Sequence, residues 1–68
     1  MSHAYNAGTR LGQRLSKGSV INPRRCINEQ AKAYIRSVEV NLADKLQAFR
    51  DYVTGAVVEF ERVTGVDI

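Results

Sequence analysis

Hydrophobic residues recur every three or four positions between Asn22 and Gly65. The stripe consists of Ile27, Ala31, Tyr34, Val38, Leu42, Leu46, Phe49, Val53, Ala56, Phe60 and Val63. This period is helical and shows no strand-like alternation. Asn22 is a favourable N-cap, Pro23 fits the first helical position, and Gly65 stands where a helix-ending glycine is common. The pattern therefore predicts one amphipathic helix over about residues 23–64, roughly 60 Å long.

The predicted helix has one weak point, around Asn41. Val38 and Val40 are β-branched, which lowers helix propensity. Asn41 could also cap a second helix, with Asp44 at its third position. The hydrophobic stripe nevertheless crosses this point without a change of phase. We therefore expect a single continuous helix, with a kink near residue 41 as the alternative.

Residues 1–21 differ from the rest of the chain because they contain few large hydrophobic groups. A short repeat within residues 9–17 places Leu11 and Leu15 one helical turn apart, which permits at most a short helix. The sequence thus predicts an all-α chain in two parts. An extended basic N-terminal arm covers residues 1–21, and the long amphipathic helix covers residues 22–68.

Charge is distributed unevenly along the chain. Residues 1–36 hold seven basic residues and one acidic residue, whereas residues 37–68 hold three basic and six acidic residues. A basic region suggests an anionic partner, either nucleic acid or an acidic protein surface. Tyr5 is the only aromatic residue in the arm, so a stacking platform for single-stranded nucleic acid is not indicated. The candidate contacts for phosphates or other anions are Arg10, Arg14, Lys17, Arg24 and Arg25.

Much of the hydrophobic stripe would remain exposed on an isolated long helix, and exposed apolar patches of that size mark interfaces. Gly55 lies beside the stripe. It either permits the close approach of another helix or is a tolerated surface glycine that costs about 1 kcal/mol. Leu11 and Leu15 would anchor the arm on other chains. The predicted protein-interface residues are Leu11, Leu15, Tyr34, Val38, Leu42, Leu46, Phe49, Val53, Gly55 and Phe60.

Residues able to support catalysis or to bind a cofactor are scarce. His3 lies in the predicted arm, and Cys26 is the only cysteine, so the two cannot build a four-ligand zinc site. The segment from Gly12 to Gly18 lacks the residue order of a phosphate-binding loop. We therefore predict a non-enzymatic protein with no cofactor and no metal. The lone cysteine fits a reducing compartment, and no apolar run reaches the length of about 18 residues that a membrane span needs.

These features favour a structural subunit of a large multi-chain assembly. Ordering the arm costs about 1–2 kcal/mol per residue, which its few apolar groups cannot offset, so a neighbouring surface should hold it. A helix with an arm suggests a small phage or viral particle protein, located in the virion or the host cytoplasm, with other protein subunits as partners.

Two alternatives stay open at this stage. One is a basic nucleic-acid-associated protein of ribosomal or regulatory type, which would bind nucleic acid through the arm. The other is a small helical inhibitor or adaptor of one protein target. None of the three functions involves a membrane or a small-molecule substrate.

Overall fold

Three helices form the protein in the computed structural model, which describes residues 2–18 and 20–68. The first helix, α1, spans His3–Ser16, α2 spans Pro23–Arg36, and α3 spans Leu42–Thr64. The longest dimension of the molecule is 35 Å, which is about the length of the 23-residue α3 alone. The chain is all-helical, as predicted, but the prediction of one long helix with an extended arm is wrong.

The predicted helix is interrupted between α2 and α3, at the point where the sequence is weakest. The side-chain oxygen of Asn41 accepts a hydrogen bond from the Asp44 N–H at 2.9 Å, so Asn41 caps α3. Asn22 caps α2 in the same way, through the Arg25 N–H at 3.1 Å. Gly65 ends α3 with a left-handed φ of 72°, which glycine adopts without strain. The caps at Asn22 and Gly65 are as predicted, whereas Asn41 starts a new helix and reverses the chain.

The two parts of the predicted long helix lie antiparallel. Near the end of α2, the Tyr34 ring lies 5.0 Å from the Tyr52 ring in α3. At the start of α2, Arg24 donates a hydrogen bond to the Ile68 carbonyl at 3.3 Å. Ile27 and Ala31 of α2 are completely buried in the folded chain. Burial on both sides of the turn explains why the chain reverses, since a straight helix would leave these groups in water.

The predicted arm is instead helix α1, which packs on α3 of the same chain. The Ser2 hydroxyl accepts from the Tyr5 N–H at 3.1 Å and so caps the helix. The same hydroxyl donates to the Asp51 carboxylate at 3.0 Å, and the Gln13 amide donates to the Glu59 carboxylate at 2.8 Å. The two helices therefore run parallel, and the surface that holds residues 3–16 belongs to the chain itself.

Glycines allow α1 and α3 to touch backbone to backbone. A Cβ atom added at Gly8 would overlap the Tyr52 carbonyl, and one added at Gly12 would lie 3.0 Å from the Glu59 Cβ. On the α3 side, a Cβ added at Gly55 would overlap the Tyr5 carbonyl. Gly55 thus lies at a helix crossing, as one reading of the sequence predicted, but the partner helix is α1 of the same chain.

The core between the helices is small. Its buried hydrophobic residues are Ala4, Leu11, Ile27, Ala31, Tyr52, Ala56 and Phe60. Three of these are alanines, and Ile27 is the largest side chain that is fully buried. The fold consequently depends on close backbone packing at α1 and α3 as much as on large apolar side chains.

One carboxylate, that of Glu59, lies in the α1–α3 contact and is only 7% exposed. Arg62 donates two hydrogen bonds to it at 2.8 Å, and Gln13 donates a third at the same distance. The hydrogen bonds from Arg62, followed by that from Gln13, lower the pKa of Glu59 to about 2. The negative charge of Glu59 is therefore compensated within the fold.

Candidate functional site

A groove runs between α1 and α2 because both helices pack on α3 and touch each other little. Its volume is about 510 Å³. The groove is lined by Ala7, Arg10, Gln13, Arg14, Lys17, Tyr34 and Tyr52. Residues from all three helices thus meet here, and none of the lining residues is acidic. We call this feature the basic groove.

Three cations, on α1 and at its C-cap, give the basic groove its charge. Arg10, Arg14 and Lys17 follow one another at four and three residues, which places them on one helix face about 6 Å and 4.5 Å apart along the axis. All three are exposed. Among residues 2–18 and 20–68 the ion pairs join Arg25 to Glu29 and Arg62 to Glu59, so none of the three is neutralised by a carboxylate.

The other two predicted anion contacts lie outside the groove. Arg24 donates to the Ile68 carbonyl, and Arg25 pairs with Glu29 at 3.4 Å across one turn of α2. The structure thus brings together Arg10, Arg14 and Lys17 but separates them from Arg24 and Arg25.

Two tyrosines form the inner part of the basic groove. The Tyr34 and Tyr52 rings are inclined at 35° to each other. Tyr52 is 5% exposed, and this burial raises the pKa of its hydroxyl, an effect that the nearby Arg14 charge opposes. Every buried side-chain polar atom in the described chain has a hydrogen-bond partner. The Tyr52 side chain lines the groove beside Arg14 and Tyr34.

Sequence reasoning missed the aromatic part of this groove. Tyr34 was assigned to the hydrophobic stripe, and Tyr52 was not singled out at all. Tyr52 lies 38 residues after Arg14, and only the packing of α1 on α3 brings the two together. No local pattern could have indicated it.

A second surface feature is the exposed part of the hydrophobic stripe on α3. Leu42 is 73% exposed and Leu46 is 60% exposed, while Phe49 and Val53 are half-buried against the core. These four residues follow one another at steps of four, three and four. We call them the apolar stripe. A depression of about 620 Å³ beside Leu46 and Phe49 also involves Ala43, Gln47 and Arg50.

The remaining predicted interface residues lie within the chain's own fold. Leu11 is buried in the core, and Leu15 and Tyr34 pack against it. Gly55 and Phe60 are buried and Val38 is half-buried. These side chains make contacts inside one molecule, so the prediction that Leu11 and Leu15 lie on other chains is wrong.

No protein-family model, curated protein or solved structure matches this chain. In the part of the chain that the structure describes, no helix combines the length and apolar character needed to cross a bilayer. The same residues contain no group of three or more His, Cys, Asp and Glu side chains able to hold a metal ion.

Proposed function

We propose that this protein is a non-enzymatic subunit of a multi-chain protein assembly and that it associates with a second copy of itself through the apolar stripe. The observation on which this rests is the exposure of Leu42 and Leu46, two large hydrophobic side chains in successive turns of one helix. Exposed apolar groups grouped in this way mark interaction surfaces, whereas single scattered ones do not.

The spacing of the apolar stripe favours a helix as its partner. Steps of four, three and four residues are the seam of a coiled coil, in which side chains of one helix fit between those of another. The same seam on a second copy supplies the complementary surface. Closed two-fold dimers are also the commonest homo-oligomers, so a pair of α3 helices is the simplest assembly that covers Leu42 and Leu46.

The modest burial within one chain also supports a partner. The accessible surface is 4744 Å², whereas monomeric proteins of 7.6 kDa expose roughly 4,300 Å². The additional exposed area is consistent with a small domain that completes its burial by association.

The extended arm no longer supports this proposal. Residues 3–16 fold onto α3 of the same chain, so no outside surface is needed to order them. The step from an assembly to a phage or viral particle depended on that arm. The proposal is accordingly restricted to an assembly of protein subunits, and its main support is the apolar stripe.

Leu46→Glu tests the proposal because it places a charge in the middle of the stripe without disturbing the core. Burial of two leucines from each copy should stabilise the dimer by roughly 1.5–3 kcal/mol per side chain. Association itself costs about 4–15 kcal/mol, so self-association should be weak and concentration-dependent. Light scattering from micromolar to millimolar concentration should show oligomers for the wild type and monomers for the variant.

Val58→Glu is the matched control. Val58 is 47% exposed on the same helix, and it lies about 120° around the axis from Leu46. This variant adds the same charge and should associate as the wild type does. A wild-type protein that stays monomeric at millimolar concentration would refute the proposal, as would equal association of the Leu46→Glu and Val58→Glu proteins.

A further inference from the structure

We propose that the basic groove binds single-stranded nucleic acid. Arg10, Arg14 and Lys17 contact consecutive phosphates, and the exposed part of the Tyr34 ring stacks on a base. This binding site lies on α1 and α2, so it is separate from the apolar stripe and does not depend on the proposed self-association.

The first argument is the arrangement of the cations. Arg10, Arg14 and Lys17 form a row about 10.5 Å long on one face of α1, and each is exposed. Arginine offers planar pairs of donors that suit phosphate oxygens. A row of this length can follow an extended phosphate backbone over two or three nucleotides.

The second argument is the absence of competing negative charge. No acidic residue lines the groove. The carboxylate of Glu59 bonds to Gln13 at the groove wall, but the Arg62 guanidinium neutralises it. The charged side chains that line the groove are therefore all basic.

The third argument distinguishes nucleic acid from an acidic protein segment. Tyr34 lines the groove next to the cations and is only half-buried, while its other contacts include the Tyr52 ring. An acidic peptide would use the three cations but would gain little from an accessible aromatic ring. A base gains a stacking contact there, and a cationic groove that also holds aromatic side chains is typical of single-strand binding.

Fluorescence anisotropy with a labelled oligothymidylate tests the proposal in the full-length protein. Three phosphate contacts to a single strand predict that the logarithm of the binding constant falls with the logarithm of salt concentration at a slope of about −2. Arg14→Gln removes one contact and should reduce the magnitude of the slope by about 0.7.

Arg25→Gln is the matched control for charge. Arg25 is exposed on α2 outside the groove, and its replacement lowers the net charge by the same amount. The slope should stay at the wild-type value. Equal slopes for the Arg14→Gln and Arg25→Gln proteins would show that binding is not localised in the groove and would refute the proposal.

Tyr34→Leu tests the base contact separately. Loss of one stacked base should weaken binding about tenfold and leave the salt slope unchanged, whereas Tyr34→Phe should bind like the wild type. Circular dichroism of the Tyr34→Leu protein verifies that α2 and α3 remain folded, and the comparison of Arg14→Gln with Arg25→Gln tests the groove if they do not.

Two competitor ligands complete the experiment. A duplex of the same length should bind more weakly than the single strand, because its bases are not available to Tyr34. Polyglutamate of equal charge should also bind more weakly. Equal or tighter binding of polyglutamate would assign the groove to an acidic protein partner. Equal binding of the duplex would show that Tyr34 does not contact a base. Either result would overturn the proposal.

Discussion

Two regions of α3 differ in the size and the exposure of their side chains. One is the contact with α1, and the other is the first two turns of the helix. Where α1 crosses α3, Gly8, Gly12 and Gly55 bring the two backbones together. Nearer the start of α3, Leu42 and Leu46 are large side chains with little protein around them. The three glycines thus form a contact inside the fold, whereas Leu42 and Leu46 remain on the surface. Residue size alone is therefore a poor guide to which part of this chain is its core.

Replacing one leucine in each region by alanine should give the largest difference in the free energy of unfolding. Leu11→Ala removes a side chain that is 4% exposed, and it should lower the free energy of unfolding by about 2–5 kcal/mol. Leu42→Ala makes the same chemical change at a 73% exposed site, and it should change the unfolding free energy of the monomer by at most about 0.5 kcal/mol. Urea unfolding in dilute solution measures both. Similar losses for the two variants would contradict the assignment of Leu42 to the surface.

A methyl group added to glycine should have the next largest effect. Gly8→Ala would normally stabilise a helix by up to about 1 kcal/mol, but here the new Cβ overlaps the Tyr52 carbonyl. Forcing α1 away from α3 should cost about 1–3 kcal/mol net. Gly18→Ala is the control, since no atom lies within 4 Å of its Cβ position. Thermal unfolding of both proteins should show a lower midpoint only for Gly8→Ala.

The smallest of these effects concerns pH. The pKa of Glu59 falls from 4.5 when unfolded to about 2 in the folded protein, so its ionised form stabilises the fold above pH 4.5. That contribution should disappear as the pH falls from about 4.5 towards 2. Glu59→Gln should therefore be less stable than the wild type at pH 6, and the difference should shrink in acid. Glu29→Gln, at an exposed pair with Arg25, should show no comparable change. A constant difference for Glu59→Gln would contradict the lowered pKa.

The sequence predicted the helix ends better than it predicted how the helices pack. Capping is local, because the side chain of Asn22 or Asn41 bonds to a backbone group three residues later. Whether the chain continues or reverses at Asn41 depends on what the two halves bury against each other. The unbroken hydrophobic period could not reveal the reversal. Val38 and Leu42 are four residues apart in the sequence, which is a helical spacing whether or not a turn lies between them.

The nature of the N-terminal segment was missed for a related reason. A glycine such as Gly12 weakens a helix that is exposed to water. Together with Ala4 and Gly8, Gly12 forms a row of small residues at four-residue intervals, which suits close packing against another helix. The one-turn spacing of Arg10 and Arg14 likewise places both side chains on the face of α1 that lines the groove.

The order of the helices along the chain has a consequence for biosynthesis. The α2–α3 hairpin joins neighbouring segments, whereas α1 must find residues about 45 positions further on, as the Gln13–Glu59 hydrogen bond illustrates. Contacts between distant residues form late because the intervening loop must close first. During translation, α1 emerges first and has no docking surface until nearly the whole of α3 has left the ribosome. The glycine face of α1 therefore remains uncovered until most of α3 has been synthesised.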